Sequence, residues 1–88
     1  MTRREVEIVN ALGLHARAAA RFVHMASGFG SQIRVTRGGR TMDGKSILGL
    51  LLLSAGRGTT IEITADGPDE EAAVAALASL AARGFEDA

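Results

Sequence analysis

Apolar residues recur along this chain either at every second position, as in a strand, or at helical spacing. The order in which these two patterns alternate restricts the possible folds more than any other feature of the sequence. The first segment places Val6 and Ile8 on one face and glutamates on the other, which is typical of a half-buried strand. Strands are predicted at residues 5–9, 32–36, 40–43 and 60–64. Helical spacing predicts helices at residues 16–27, 47–54 and 68–83. The predicted order is therefore β, α, β, β, α, β, α.

Capping and turn residues mark the predicted ends of the helices. Gly28 follows the first helix, Ser46 stands at the N-cap of the second, and Gly56 ends it. Pro68 is placed in the first turn of the third helix, ahead of acidic residues that suit the positive end of a helix dipole, and Gly84 lies past its end. The buried stripe of this helix is predicted to be Ala73, Val74, Leu77, Leu80 and Ala81.

This order of elements predicts an α+β fold. Because the apolar strand faces and helix stripes each need a partner, the economical arrangement is an open-faced β-sandwich, a four-stranded antiparallel sheet with three helices on one face. A right-handed crossover through the first helix leaves a gap between the first two strands that the last strand can fill. The turn at Gly38-Gly39 suits a tight hairpin. We expect one domain over residues 1–88.

Composition removes several classes of function. The chain contains no cysteine, and its histidines lack metal-ligand spacing, so no metal or cofactor is predicted. Lysine plus arginine total 10, equal to aspartate plus glutamate, and only three aromatic residues occur, so nucleic-acid binding is not expected. The most apolar run, residues 47–53, is far shorter than the roughly 20 residues of a bilayer-spanning helix. No membrane insertion is predicted, and a cytoplasmic location is expected.

The stretch GLHARAA at residues 13–19 carries the most specific chemistry. Gly13 permits an unusual turn, His15 falls at the start of the first helix, and the backbone amides of Ala16, Arg17 and Ala18 lack acceptors within the helix. The helix dipole disfavours an imidazolium there, while free amides and a guanidinium both suit a phosphoryl group. From these residues alone, two interpretations stay open: a phosphate-accepting His15 assisted by Arg17, or a histidine that only caps the helix.

Three segments favour the first of these interpretations. GLHARAA at 13–19, DGKSILGL at 43–50 and GTTIEITADGPDEEAA at 58–73 together resemble HPr, the histidine-containing phosphocarrier family of the bacterial phosphoenolpyruvate-dependent phosphotransferase system. The resemblance implies that His15 accepts a phosphoryl group from phosphorylated enzyme I and passes it to a histidine of an enzyme IIA component. It implies a carrier that needs partner enzymes and is not itself an enzyme. It also implies the open-faced sandwich, independently of the apolar pattern.

One residue departs from the family pattern. Ala18 stands where the family usually has proline, and because alanine is a good helix former we expect the helix start to survive. Alanine here resembles members of the nitrogen-related branch, so a regulatory module that signals through its phosphorylation state is the alternative to sugar uptake. A third possibility is an interaction domain that takes up no phosphate.

Ser46 has two interpretations as well. Its place at a helix start accounts for it as an N-cap. The segment GKSILGL is also similar to the one in which HPr kinase/phosphorylase phosphorylates a serine of HPr, so the resemblance implies Ser46 as a regulatory site and that kinase as a further partner.

The predicted docking surface combines the first two helices. Arg21 and His24 share a face with Arg17, and the second helix has more apolar residues than one inward stripe can use. We expect Leu48, Leu51 and Leu52 to form an exposed patch beside His15, used by a monomeric carrier for transient exchange. The predicted partner-binding residues are Ala20, Arg21, His24, Lys45, Ile47, Leu48, Leu51 and Leu52.

Overall fold

A computed structural model describes residues 1–87, with the strands and helices in the predicted order. The strands are β1 (Thr2–Glu7), β2 (Gln32–Arg37), β3 (Arg40–Asp43) and β4 (Thr60–Asp66). The helices are α1 (Ala16–Ala26), α2 (Ile47–Leu52) and α3 (Glu70–Ala82). A tight turn of three left-handed residues, Gly84–Glu86, follows α3 and was not predicted. Within residues 1–87, no helix combines the length and apolar character that crossing a bilayer requires.

The four strands form one antiparallel sheet in the order β1-β4-β2-β3. The last strand fills the gap between the first two, as the crossover rule predicted. Along β4, Ile61, Ile63 and Ala65 are buried while the residues between them are more exposed, so one face of the sheet covers the core. The α+β open-faced sandwich with three helices is confirmed.

The core lies between this sheet face and the helices. The predicted stripe of α3 is buried along its whole length, and Ala78 is buried with it. From α1, Phe22 is 1% exposed, and it packs in the same cluster as Phe85, which is 0% exposed. Both phenylalanines therefore contribute large apolar surfaces to the interior of the domain.

Several predicted boundaries were wrong by a few residues. β1 begins at Thr2 and ends at Glu7, although Ile8 continues its hydrogen bonding by donating its amide to the Thr59 carbonyl at 2.8 Å. β2 and β4 each run past the predicted end, and α1 ends at Ala26. The N-terminus of α3 also differs, because Asp69 is the N-cap and Pro68 lies before the helix. Asp69 instead accepts hydrogen bonds from the amides of Gly30 and Ser31, which fastens α3 to the start of β2.

The second helix is shorter than predicted and stops at Leu52. Ser54 adopts a left-handed φ of 51°, which ends the helix before Gly56. Arg37 and Arg40 donate to the carbonyls of Leu53 and Leu52 and so satisfy groups that a helix end leaves without partners. Six residues are too few for stability on their own, so α2 depends on its packing against α1 and β3.

Candidate functional site

His15 caps the N-terminus of α1. Its backbone is extended, with φ −82° and ψ −179°, and its ring Nδ1 accepts a hydrogen bond of 3.3 Å from the amide of Arg17. The helix begins at Ala16 with Ala18 fully buried, so the expected start survives without the proline. Nδ1 therefore lies beside the first-turn amides, where a helix attracts negative charge.

The loop before His15 is fixed by close backbone contacts. Gly13 has a left-handed φ of 66°, and a Cβ there would lie 2.6 Å from the Ala55 carbonyl oxygen. The amide of Leu14 donates to that same oxygen at 2.9 Å. Buried Asn10 donates from Nδ2 to the Gly13 carbonyl at 2.7 Å. This loop holds the start of α1 in a fixed position against the segment that follows α2.

Replacing Gly13 by alanine is expected to destabilise the fold by about 2 kcal/mol or more, because a left-handed backbone and a clash with backbone atoms add together. Gly38 provides the control, since its φ is 56° but a Cβ there would have no atom within 4 Å. Gly38→Ala should lose only about 1 kcal/mol, the backbone part alone. Urea unfolding measures both variants, and equal losses would contradict the role of the Ala55 contact.

The other ring nitrogen of His15 faces an acidic side chain from the far end of the sequence. Nε2 lies 2.9 Å from Oδ2 of Asp87, and Arg17 donates from Nε to Oδ1 at 3.0 Å and again from Nη2. The Asp87 side chain is 7% exposed, that of His15 22% and that of Arg17 55%. The hydrogen bonds that Asp87 accepts from Arg17, and then the one it accepts from His15, lower the pKa of Asp87 to about 2, with a smaller contribution from Asn10. Asp87 is thus a carboxylate at neutral pH.

These contacts assign the proton on the ring. Nδ1 accepts from a backbone amide and so carries no proton. Nε2 faces the Asp87 carboxylate, which only accepts hydrogen bonds, so Nε2 is the donor. In the neutral ring these contacts place the proton on Nε2 and the lone pair on Nδ1, which is the nucleophilic form.

A strained segment brings Asp87 to this position. Phe85 and Glu86 both have a φ of 58°, an uncommon conformation for residues other than glycine. Phe85 is fully buried, and its carbonyl accepts a 2.9 Å hydrogen bond from Nη1 of Arg21. Packing of this kind is what maintains an unfavourable backbone conformation. Arg21, predicted as a docking residue, therefore also supports the segment after α3.

The predicted docking residues fall into two groups. On α1, Ala20, Arg21 and His24 line one groove together with Arg17, and His24 is exposed as expected. On α2, Leu48 is 68% exposed, Leu52 48% and Ile47 42%.

Two of the predicted docking residues are more buried than expected. Leu51 is half-buried and packs against the core, so the expectation that it belongs to the exposed patch is wrong. It faces inward because Leu50 and Leu53 continue the same buried side of a short helix. Lys45 is half-buried too, and its Nζ donates to the Phe29 carbonyl at 2.8 Å.

Ser46 is the N-cap of α2, as predicted. Its Oγ accepts a hydrogen bond of 3.0 Å from the amide of Gly49. Gly49 allows the helix to approach β3 closely, because a Cβ there would lie 3.3 Å from Cβ of Met42 and from Oγ of Ser46. The cap explains Ser46 structurally and leaves its half-buried hydroxyl at the start of the helix.

Two residues of the site were missed by the sequence reasoning. Asp87 lies 72 positions from His15, and its only signal was membership in an acidic cluster near the end of the chain. Asn10 stands three positions before Gly13, a spacing that suits a side chain bonding back to a turn.

Comparisons with known proteins identify relatives of this chain. The family model described as "PTS HPr component phosphorylation site" matches residues 2–83. The phosphocarrier protein HPr of Cupriavidus necator is 47% identical over 85 residues, which is 97% of this chain and 96% of the relative. The HPr of Neisseria meningitidis serogroup A is 48% identical over 80 residues, 91% of this chain and 90% of the relative.

Solved structures also share the fold. The crystal structure of HPr-C-His from Thermoanaerobacter tengcongensis superposes with a TM-score of 0.95 at 41% identity, and the match covers 100% of this chain and 99% of that one. A second structure from that organism, described as an HPr dimer, has a TM-score of 0.77 at 42% identity, with 97% and 98% covered.

Proposed function

The chain belongs to the HPr family of phosphotransferase-system phosphocarriers, and we propose that His15 is the residue that carries the phosphoryl group. Nδ1 is the accepting atom. The observation that carries this proposal is the cap geometry, in which an unprotonated Nδ1 lies against the amide of Arg17 at the start of α1. Enzyme I in its phosphorylated form is the proposed donor, and a histidine of an enzyme IIA component is the acceptor.

The hydrogen bond from the Arg17 amide must leave Nδ1 for the transfer, because that nitrogen has a single lone pair. The lone pair of Nδ1 attacks the phosphorus, and the bond from phosphorus to the donor breaks with its electron pair leaving on the donor. The amide that caps Nδ1 can then donate to a phosphoryl oxygen, as can the other first-turn amides of Ala16 and Ala18. Arg17 is 55% exposed at its side chain and supplies a guanidinium that matches phosphate geometry.

The partner must complete the site. His15 is 22% exposed at its side chain, so an incoming phosphoryl group reaches it from solvent. A small domain cannot exclude water from the reaction on its own, so a docked partner is proposed to supply that exclusion. The protein is therefore proposed to be a carrier without catalytic activity of its own.

Incubation with enzyme I, phosphoenolpyruvate and magnesium tests the proposal. Mass spectrometry of the intact protein is expected to show one added phosphate, which acid removes because phosphohistidine is acid-labile. A chain that remains unmodified, or that carries an acid-stable phosphate, would refute it. Omission of enzyme I is the control, since the chain alone should gain nothing.

The branch of the system is a separate question. Because alanine at position 18 resembles members of the nitrogen-related branch, the regulatory module is proposed as the alternative role. A relay assay that offers the phosphorylated protein to sugar-type and nitrogen-type enzyme IIA proteins decides between them. The carrier is expected to act as a monomer in the cytoplasm, and light scattering measures the first of these expectations.

Docking is proposed to use the exposed residues beside α1 and on α2. The apolar side chains of Ile47, Leu48 and Leu52 offer a patch for a transient interface. Arg17 and Arg21 add positive charge that would steer an acidic partner. The full set of proposed contacts is Ala20, Arg21, His24, Lys45, Ile47, Leu48 and Leu52, with Leu51 behind them against the core.

Ser46 is proposed as a regulatory site for HPr kinase/phosphorylase. A phosphate on Oγ would sit at the start of α2 without breaking the helix, and its charge would repel an acidic partner. Ser46→Asp is expected to slow phosphorylation by enzyme I on the order of tenfold while the fold is kept. Ser54→Asp places the same charge at the other end of the helix and should leave the rate near wild type. Equal rates for both variants would contradict regulation at Ser46.

A further inference from the structure

The Asp87 carboxylate joins the two side chains proposed to handle phosphate. Oδ2 accepts from Nε2 of His15 at 2.9 Å, while Oδ1 accepts from Nε of Arg17 at 3.0 Å. This side chain is 7% exposed, although it belongs to the segment after the last helix. It lies on the opposite ring nitrogen from the one that faces the helix amides, so it does not compete for the position of the phosphoryl group.

Building this contact requires an unfavourable backbone. Phe85 and Glu86 both occupy the left-handed region, and the burial of Phe85 and the hydrogen bond from Arg21 hold them there. The matched family span ends at residue 83, so the family model itself says nothing about this segment. A strained segment that delivers one buried carboxylate to one ring nitrogen indicates a specific role for that carboxylate.

From this geometry, and resting on the proposed function, we infer that Asp87 is a positioning residue that keeps the proton on Nε2 of His15 throughout the phosphoryl-transfer cycle. In the resting state the hydrogen bond selects the tautomer whose lone pair is on Nδ1. It also fixes the ring plane, as the second partner of a ligating or catalytic histidine does.

The same proton matters after phosphorylation. When Nδ1 bonds to phosphorus, the ring keeps its Nε2 proton and gains a positive charge, which the adjacent carboxylate balances. In the onward step the acceptor attacks phosphorus, the Nδ1–P bond breaks, and its electron pair returns to Nδ1 as a neutral imidazole. Loss of the Nε2 proton would make an imidazolate the leaving group instead. An imidazolate is a poorer leaving group than a neutral imidazole, so the transfer of the phosphoryl group would be slower. Asp87 therefore keeps the carried phosphate transferable.

Substitution of Asp87 by asparagine tests this inference. The carboxamide can either accept from Nε2 or donate to it, so the tautomer protonated on Nδ1 should be more populated than in the wild type, although the Arg17 amide still favours the proton on Nε2. Nitrogen NMR of the labelled ring should show Nε2 as the protonated atom in the wild type and averaged signals in Asp87→Asn. Transfer from the phosphorylated variant to enzyme IIA is expected to be about tenfold slower, the effect of one charge-assisted hydrogen bond.

Two further variants make the result specific. Glu86→Gln removes the same charge one residue away, where the side chain contacts only Arg83 at 3.8 Å among the ion pairs of residues 1–87, and it should match the wild type. Asp87→Glu restores a carboxylate and should recover at least part of the rate and the single tautomer. These comparisons separate the role of the Asp87 charge from that of the general acidity of the segment.

Several outcomes overturn the inference. An Asp87→Asn variant with the wild-type tautomer and rate overturns it, and so does one that transfers phosphate faster, which would make the contact a lock. If thermal melting shows that Asp87→Asn is unfolded, the Asp87→Glu comparison against wild type decides in its place. A wild-type chain that takes up no phosphate would overturn the proposed function as well. If the chain is phosphorylated but substitution of Asp87 changes neither the ring tautomer nor the transfer rate, this inference alone is overturned.

Discussion

His15→Ala is expected to abolish phosphate uptake from enzyme I and phosphoenolpyruvate. The substitution removes the only atom proposed to bond to phosphorus, so no slower route remains through this site. It should leave the fold intact, because the ring is a partly exposed cap whose hydrogen bond to the Arg17 amide is long, at 3.3 Å. Loss of a cap lowers stability by about 1 kcal/mol, well within the reserve of a small domain. Intact-mass measurement after incubation gives the result.

The second histidine of the chain is the matched control. His24 lies on the same helix and is exposed, but it is not placed at a helix start. His24→Ala should still end with one phosphate on each chain, whatever the rate at which it docks. Arg17→Ala should reach the same end point about tenfold more slowly, because a guanidinium that meets the phosphoryl group is lost. Phosphate on the His15→Ala chain would move the site elsewhere.

The fold could be predicted from the sequence because the local apolar patterns and the global topology agree. Period-two spacing in residues such as Ile61 and Ile63 marks the buried sheet face, and the helical stripe of α3 can bury itself only against that face. The handed crossover then leaves one place for β4. The ends of the helices and strands were harder to predict, because tertiary contacts set them. Asp69 accepts hydrogen bonds from the amides of Gly30 and Ser31, and α3 begins after this residue and not at Pro68.

The candidate site likewise contains residues that the sequence could predict and one that it could not. His15, Arg17 and the first-turn amides follow from seven adjacent residues, because a helix start has the same orphan amides in any fold. Asp87 could not be placed by such reasoning. Its contact with His15 depends on a turn with three consecutive left-handed residues, and after Gly84 neither Phe85 nor Glu86 is a residue type that signals that conformation. Only the packed structure reveals that the acidic cluster near the chain end supplies one member of the site.

That dependence makes Phe85 the residue through which stability and chemistry are coupled. Phe85→Ala is expected to lower the free energy of unfolding by about 3–5 kcal/mol, the usual loss for a fully buried phenylalanine. The remaining backbone strain at residues 85 and 86 then has less to maintain it, so Asp87 should also leave the His15 ring. Urea unfolding measures the first effect, and nitrogen NMR of the His15 ring measures the second.

Phe22→Ala separates the two effects, because it makes the same chemical change in the same core cluster. Phe22 is 1% exposed, so its loss of stability should be similar, but the segment that carries Asp87 stays anchored by Phe85. The Phe22 variant should therefore keep the proton on Nε2, whereas the Phe85 variant should not. If either alanine variant is unfolded, leucine at the same position makes a smaller cavity and allows the same comparison. A folded Phe85 variant that retains the wild-type ring signals would show that Asp87 holds its position without this anchor.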